Sequence, residues 1–105
     1  MGTLCCQSIK LVEHPYATLG TKKLLTASTS SGDLDNDGDM DIVVANGRHW
    51  AEFNQVFFND GNGFFRRSKF LSKEATASYA TPLADLDNDG DLDIVVANDR
   101  TMNQV

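Results

Sequence analysis

Residues 33–46 read DLDNDGDMDIVVAN, and residues 85–98 read DLDNDGDLDIVVAN. Only Met40 against Leu92 separates the two copies. Near-identity over this length within a chain of 105 residues is an internal repeat, and it governs the fold reading ahead of local propensity. In each copy Asp stands at positions 1, 3, 5, 7 and 9, with Gly at position 6. The first ladder is Asp33, Asp35, Asp37, Asp39 and Asp41 around Gly38. The second is Asp85, Asp87, Asp89, Asp91 and Asp93 around Gly90. Each ladder runs into Asp-Ile-Val-Val-Ala-Asn, a β-branched apolar run that predicts a strand.

Alternating carboxylates on a tightly turning loop can aim oxygens at one centre, and Gly at position 6 permits the sharp turn. Hard oxygen donors in this number suit Ca²⁺, which takes about six to eight of them, better than Zn²⁺ with its preference for Cys and His. Without a cation, two unit charges ~4 Å apart repel by roughly 4 kcal/mol at an effective dielectric near 20. A bound dication removes that cost, so metal and fold are expected to be coupled, with one Ca²⁺ per loop and two per chain. An EF-hand or dockerin-type loop begins the same way but closes with a bidentate Glu at position 12. Here position 12 is Val44 or Val96, and the sequence that follows is strand-like. The loop therefore joins strand to strand, which argues against a helix–loop–helix calcium adaptor.

DxDxDGxxD followed by a short Val-rich strand resembles the calcium loop of FG-GAP/VCBS-type β-propeller repeats, as in integrin α-subunit propellers and many secreted bacterial proteins. The stretch NQVFFNDGNGFF, residues 54–65, resembles the second half of such a repeat. The likeness covers about residues 24–105 and carries little of residues 1–23. It implies an all-β fold of antiparallel four-stranded blades, with the calcium loop between the first and second strands. It also implies side-chain ligands at Asp33, Asp35, Asp37 and Asp41, and at Asp85, Asp87, Asp89 and Asp93, with Asp39 and Asp91 giving carbonyl oxygens. An extracellular or cell-surface setting follows from the resemblance alone.

The rest of the chain fits that frame. Residues 24–31 (LLTASTSS) and 77–84 (ASYATPLA) are small-residue strand candidates leading into the two loops. Pro82 is tolerable there only near a strand end or on an edge. After the first loop come strand candidates 41–45, 54–58 and 64–70, the last two separated by Asn59-Asp60-Gly61-Asn62-Gly63, a dense hairpin-turn signal. Residues 24–70 thus read as a complete blade with its loop at 33–41, and residues 71–105 as a second blade with its loop at 85–93. Asn103-Gln104-Val105 matches Asn54-Gln55-Val56, while the connector Asp99–Met102 is three residues shorter than Gly47–Phe53. About one and a half blades are expected, where a propeller ring takes about four to eight. The chain is therefore expected to need neighbouring blades or further copies of itself. In residues 1–23, residues 8–13 (SIKLVE) alternate like a strand before Pro15, and Cys5 and Cys6 read as two ordinary thiols.

The net charge of −6 is local. Outside the two ladders, nine Lys and Arg face five acids: Glu13, Glu52, Asp60, Glu74 and Asp99. No basic patch with interleaved aromatics suggests nucleic acid, and no apolar run is long enough to span a membrane. No nucleophile elbow or phosphate loop is present, and His14 and His49 lack metal-ligand spacing. The expectation is a non-catalytic, calcium-stabilised scaffold for a protein or glycan. The rival is a non-catalytic part of a secreted enzyme whose active site lies elsewhere. His49-Trp50 sits in the connector of the first blade, where loops carry binding residues on a rigid frame; Trp50 could stack on a sugar or enter a partner, but its ring is expected to pack against the blade.

Overall fold

The computed structural model describes residues 18–105, and every described element is a strand. Residues 8–13, Cys5 and Cys6 lie outside the described residues. Strands β1 (Thr26–Gly32), β2 (Asp41–Asn46), β3 (Gln55–Phe58) and β4 (Arg67–Phe70) form one antiparallel sheet in that order. Four β-rich segments joined by loops of eight residues give this meander because each strand lies beside its sequence neighbour. The order is that of a propeller blade. No helix among the described residues is long and apolar enough to cross a membrane.

The second repeat builds the same opening hairpin in two pieces. Strand β5 (Ser78–Ala80) pairs with β8 (Ala97–Asn98), and β6 (Leu83–Ala84) pairs with β7 (Asp93–Ile94). The registers correspond across the repeat: Thr26 faces Asn46 as Ser78 faces Asn98, and Gly32 faces Asp41 as Ala84 faces Asp93. Even the bulge recurs, between Thr26 and Ser28 in one and between Ser78 and Ala80 in the other. Val96 and Gln104 exchange two backbone hydrogen bonds, of 2.8 and 3.0 Å, so a third strand position begins to pair.

Two strands depart from the sequence reading. The run 77–84 is divided at Thr81-Pro82, since Pro has no N–H to donate; its carbonyl still accepts from Val95 N at 3.0 Å. The strand expected from residue 64 starts only at Arg67. Asp60 explains this: its N–H reaches the Phe64 carbonyl at 3.0 Å and its carboxylate accepts from Asn62 and Phe64 N–H groups, extending the turn.

The core lies on β2 and β3, where Val43, Val44, Ala45, Val56 and Phe57 are buried. A central strand covered on both faces accounts for the unbroken apolar run. In the matching run of the second repeat Ile94 and Val95 are only half-buried, and of its three residues only Val96 is buried.

The repeats meet at a buried polar junction. Asn46 N–H donates to Asn54 Oδ1 at 2.8 Å, and Asn54 Nδ2 donates across to Ser78 Oγ at 2.7 Å. Ser78 donates its one proton to Asn98 Oδ1 at 2.7 Å, which leaves Thr76 as the donor in their 3.0 Å contact. Glu52 and Thr76 add two backbone bonds of 3.1 and 3.0 Å. Gly47 sits where the chains run closest: a Cβ there would stand 2.1 Å from the Trp50 carbonyl oxygen and 2.9 Å from that of Thr76.

Candidate metal centres

Each acidic loop spans the end of one hairpin, from β1 to β2 and from β6 to β7. Its shape is held by its own first aspartate. Asp33 accepts from Asp37 N at 3.2 Å and Gly38 N at 2.9 Å, and Asp85 accepts from Asp89 N at 3.1 Å and Gly90 N at 2.9 Å. The turn passes through left-handed backbone at position 4, where Asn36 has φ 59° and Asn88 φ 64°. It does so again at position 6, with Gly38 at 90° and Gly90 at 92°, which only glycine adopts without strain.

This folding brings positions 1, 3 and 5 together. Carboxylate oxygens of Asp33, Asp35 and Asp37 lie within 4.8 Å of one another, and those of Asp85, Asp87 and Asp89 do the same. The other predicted site residues stand outside these triads. At position 9, Asp41 Oδ2 accepts from Leu34 N at 2.9 Å and Asp93 Oδ2 accepts from Leu86 N at 2.8 Å, bracing the loop entrance. Asp41 is fully buried, and its second oxygen takes Asn59 N–H at 3.0 Å. At position 7, Asp39 and Asp91 donate their N–H groups to Asp37 and Asp89, both at 2.9 Å.

Three converging hard anions fit a hard dication such as Ca²⁺, and a soft thiolate-seeking metal finds no partner among the described residues. Asp33, Asp35 and Asp37 would hold one ion and Asp85, Asp87 and Asp89 the other. The electrostatics of the first triad agree. Desolvation, the hydrogen bond with Asp37 and the charges of Asp41 and Asp37 together raise Asp35 above its ordinary value of 3.8, while Arg67 pulls it back. Arg67 Nη2 stands 3.3 Å from Asp35 Oδ2.

Three features escape a reading by spacing, two of them at the sites. Arg67 reaches the first triad from β4, its guanidinium also lying 5.0 Å from the Phe58 ring centroid. Asn36 Nδ2 donates to Asp91 Oδ1, tying one loop to the other. At the other end of the strands, His49 Nδ1 meets Tyr79 OH at 2.9 Å beside Trp50, whose ring, expected to pack against the blade, is instead 70% exposed. Only the Asn59-Asp60-Gly61 turn gave a local hint, since an Asn after a strand caps nearby backbone readily.

A meander of short strands whose first hairpin ends in a carboxylate triad, built twice, defines a β-sheet repeat protein with acidic metal-type loops. Residues 33–96 match the FG-GAP-like repeat, and the chain belongs to that family. Repeats of this kind occur in multi-blade propellers. No curated protein and no solved structure matches the chain significantly.

Proposed function

We propose that the chain is a calcium-stabilised propeller repeat whose rigid blades present a binding surface to a protein or glycan, and that it is not an enzyme. The observation that carries this reading is the doubled triad. Two loops with the same hydrogen bonds bring the same three carboxylates within 4.8 Å, and a repeated arrangement of repelling charges calls for a repeated counter-ion. On this reading Asp33, Asp35 and Asp37, or Asp85, Asp87 and Asp89, supply charge to the ion. Asp41 and Asp93 hold the loop entrance and complete the set, with carbonyl oxygens of Asp39 and Asp91. The ion's work is structural: it neutralises the loop and pins the turn between two strands. A loop flanked by paired strands has no helix pair to open, so a sensor role is not part of the proposal.

The surface best suited to a partner lies on the connector Gly47–Phe53, at the opposite strand ends from the acidic loops. Trp50 offers an exposed indole, and the His49–Tyr79 pair beside it offers polar atoms. An extracellular setting, where calcium modules bind with dissociation constants of ~10⁻⁴ to 10⁻³ M, suits sites this exposed. Calorimetry of the folded chain should show two Ca²⁺ bound per chain. Absence of uptake at millimolar Ca²⁺ would overturn the reading.

A further inference from the structure

We propose that Trp50, His49, Tyr79 and Asp99 form a shallow site for a neutral saccharide, shared between the two repeats at the strand ends opposite the acidic loops. This rests on the scaffold reading above and narrows its partner to one class of ligand. Trp50 is the only tryptophan of the chain, and its indole is exposed where a structural role would have buried it. The turn that carries it is tightly held. Trp50 N–H donates to the Gly47 carbonyl at 2.6 Å, and a Cβ at Gly47 would collide with the Trp50 carbonyl oxygen. An exposed aromatic plane on a fixed turn suits the C–H face of a pyranose ring, which is apolar on that face and polar around its edge.

The polar groups beside it come largely from the second repeat. Tyr79, on β5, meets His49 Nδ1 at 2.9 Å with the two rings edge-on, 5.7 Å apart and inclined by 76°. With a neutral imidazole, either Tyr79 donates and Nε2 carries an outward N–H, or Nδ1 donates and Tyr79 keeps its proton for a ligand. Both tautomers offer one donor and one acceptor, the pattern of a sugar hydroxyl, which gives and takes a hydrogen bond. Asp99 opens the second connector, half-buried, with its N–H on the Ala77 carbonyl at 2.7 Å. Its Oδ2 lies 3.8 Å from His49 Nδ1 and 3.9 Å from Arg100 Nε, beyond hydrogen-bond range of both. That carboxylate can accept from two neighbouring hydroxyls while His49 and Arg100 stay close enough to share them.

Charge favours an uncharged ligand. On the connectors 47–53 and 99–102, Arg48 and Arg100 are matched by Glu52 and Asp99, a local balance within a chain of net charge −6. Arg48 and Arg100 occupy equivalent places and both take left-handed backbone, with φ of 45° and 60°, a strained conformation of the kind that recurs at ligand clamps. The second connector has no counterpart of His49-Trp50, so one site is expected in the chain.

Trp50 itself reports binding, since no other residue contributes indole fluorescence. The full chain, loaded with Ca²⁺, is titrated into the millimolar range with cello-, xylo-, manno-, galacto- and chito-oligosaccharides, with heparin and polygalacturonate as charged comparisons. At least one neutral sugar should move the emission to shorter wavelength, saturate, and bind equally well in high salt. Trp50→Ala should abolish binding of that sugar in calorimetry. Tyr79→Phe should weaken it roughly two- to tenfold and Asp99→Asn roughly tenfold or more, the worth of a neutral and of a charge-assisted hydrogen bond. All three variants should still take up two Ca²⁺, because none touches the acidic loops. Sugar binding without Ca²⁺ uptake would leave this site standing and overturn the metal reading alone. Ca²⁺ uptake with no emission change for any neutral sugar, a change confined to the charged polysaccharides, or affinity that Tyr79→Phe and Asp99→Asn leave intact overturns the site.

Discussion

Asp35 carries the plainest electrostatic consequence of the acidic loops. Its carboxyl is held above 3.8, chiefly by desolvation, then by the hydrogen bond with Asp37 and the charges of Asp41 and Asp37. A raised folded value means that the stability contribution is present below the unfolded value and is lost as pH climbs through the folded one. At neutral pH without metal, ionised Asp35 therefore opposes folding. Asp35→Asn should raise the melting temperature in chelator and lower it in Ca²⁺, a reversal that differential scanning calorimetry reads directly. Protons should also compete with Ca²⁺ at Asp35 at higher pH than at an ordinary aspartate, seen as falling affinity of the first loop on acidification. Arg67 acts on the same carboxylate from β4. It is an internal cation at the first triad, and no ion pair is seen at the second among the described residues. Arg67→Gln should tighten the first site roughly two- to fivefold, the scale of an exposed pair, and leave the second unchanged in two-site calorimetry.

Strand β2 and its counterpart show how one sequence acquires different energetic weight. Ile42-Val43-Val44 and Ile94-Val95-Val96 are identical, yet Val43 is 0% exposed while Val95 is half-buried. The difference is cover: β2 lies between β1 and β3 and packs against β5, whereas Val95 falls between the short strands β7 and β8. Val43→Ala should cost about 2 kcal/mol, from lost apolar transfer plus an unfilled cavity. Val95→Ala should cost less than half of that, and urea unfolding of the two variants in Ca²⁺ compares them. Equal losses would mean that the second hairpin is as well covered as the first.

For the whole molecule, the proposed metal binding would make metal and stability one equilibrium. A ligand that binds only the folded chain stabilises it by about 2.7 kcal/mol per site at a hundred times its dissociation constant. Chelation should therefore lower the melting temperature in step with free Ca²⁺, and readdition should restore it. Mg²⁺ at equal concentration should restore much less, because it demands near-ideal octahedral geometry and gives up its water reluctantly. The two loops are joined through Asn36 and Asp91, so one transition is expected rather than two.

Much of this was legible along the chain. The Asp ladders, the glycine at position 6 and the Ile-Val-Val runs are local patterns, and local patterns dictate turns and strands where backbone conformation and burial agree. The order of the first blade and the doubled acidic loops follow from them. The duplication also foreshadowed the shared registers of the two hairpins. Pro82 reads as fit only for a strand end or an edge, and it stands at the break between β5 and β6; that it would divide the run 77–84 in two depended on which N–H the neighbouring strand requires. Spacing gave no sign that Asp41 and Asp93 would brace the Leu34 and Leu86 N–H groups while positions 1, 3 and 5 converge. Nor could it place Arg67 on Asp35, Tyr79 on His49 or Asn54 on Ser78. Those pairs join residues 24 to 32 positions apart, on elements that meet only once the first sheet has closed, for Arg67 and Asp35, or the two repeats have packed, for the other two. Local preference chooses the strand and the turn; which polar side chains end up sharing a proton is decided by how the strands close into a sheet and how one repeat approaches the next.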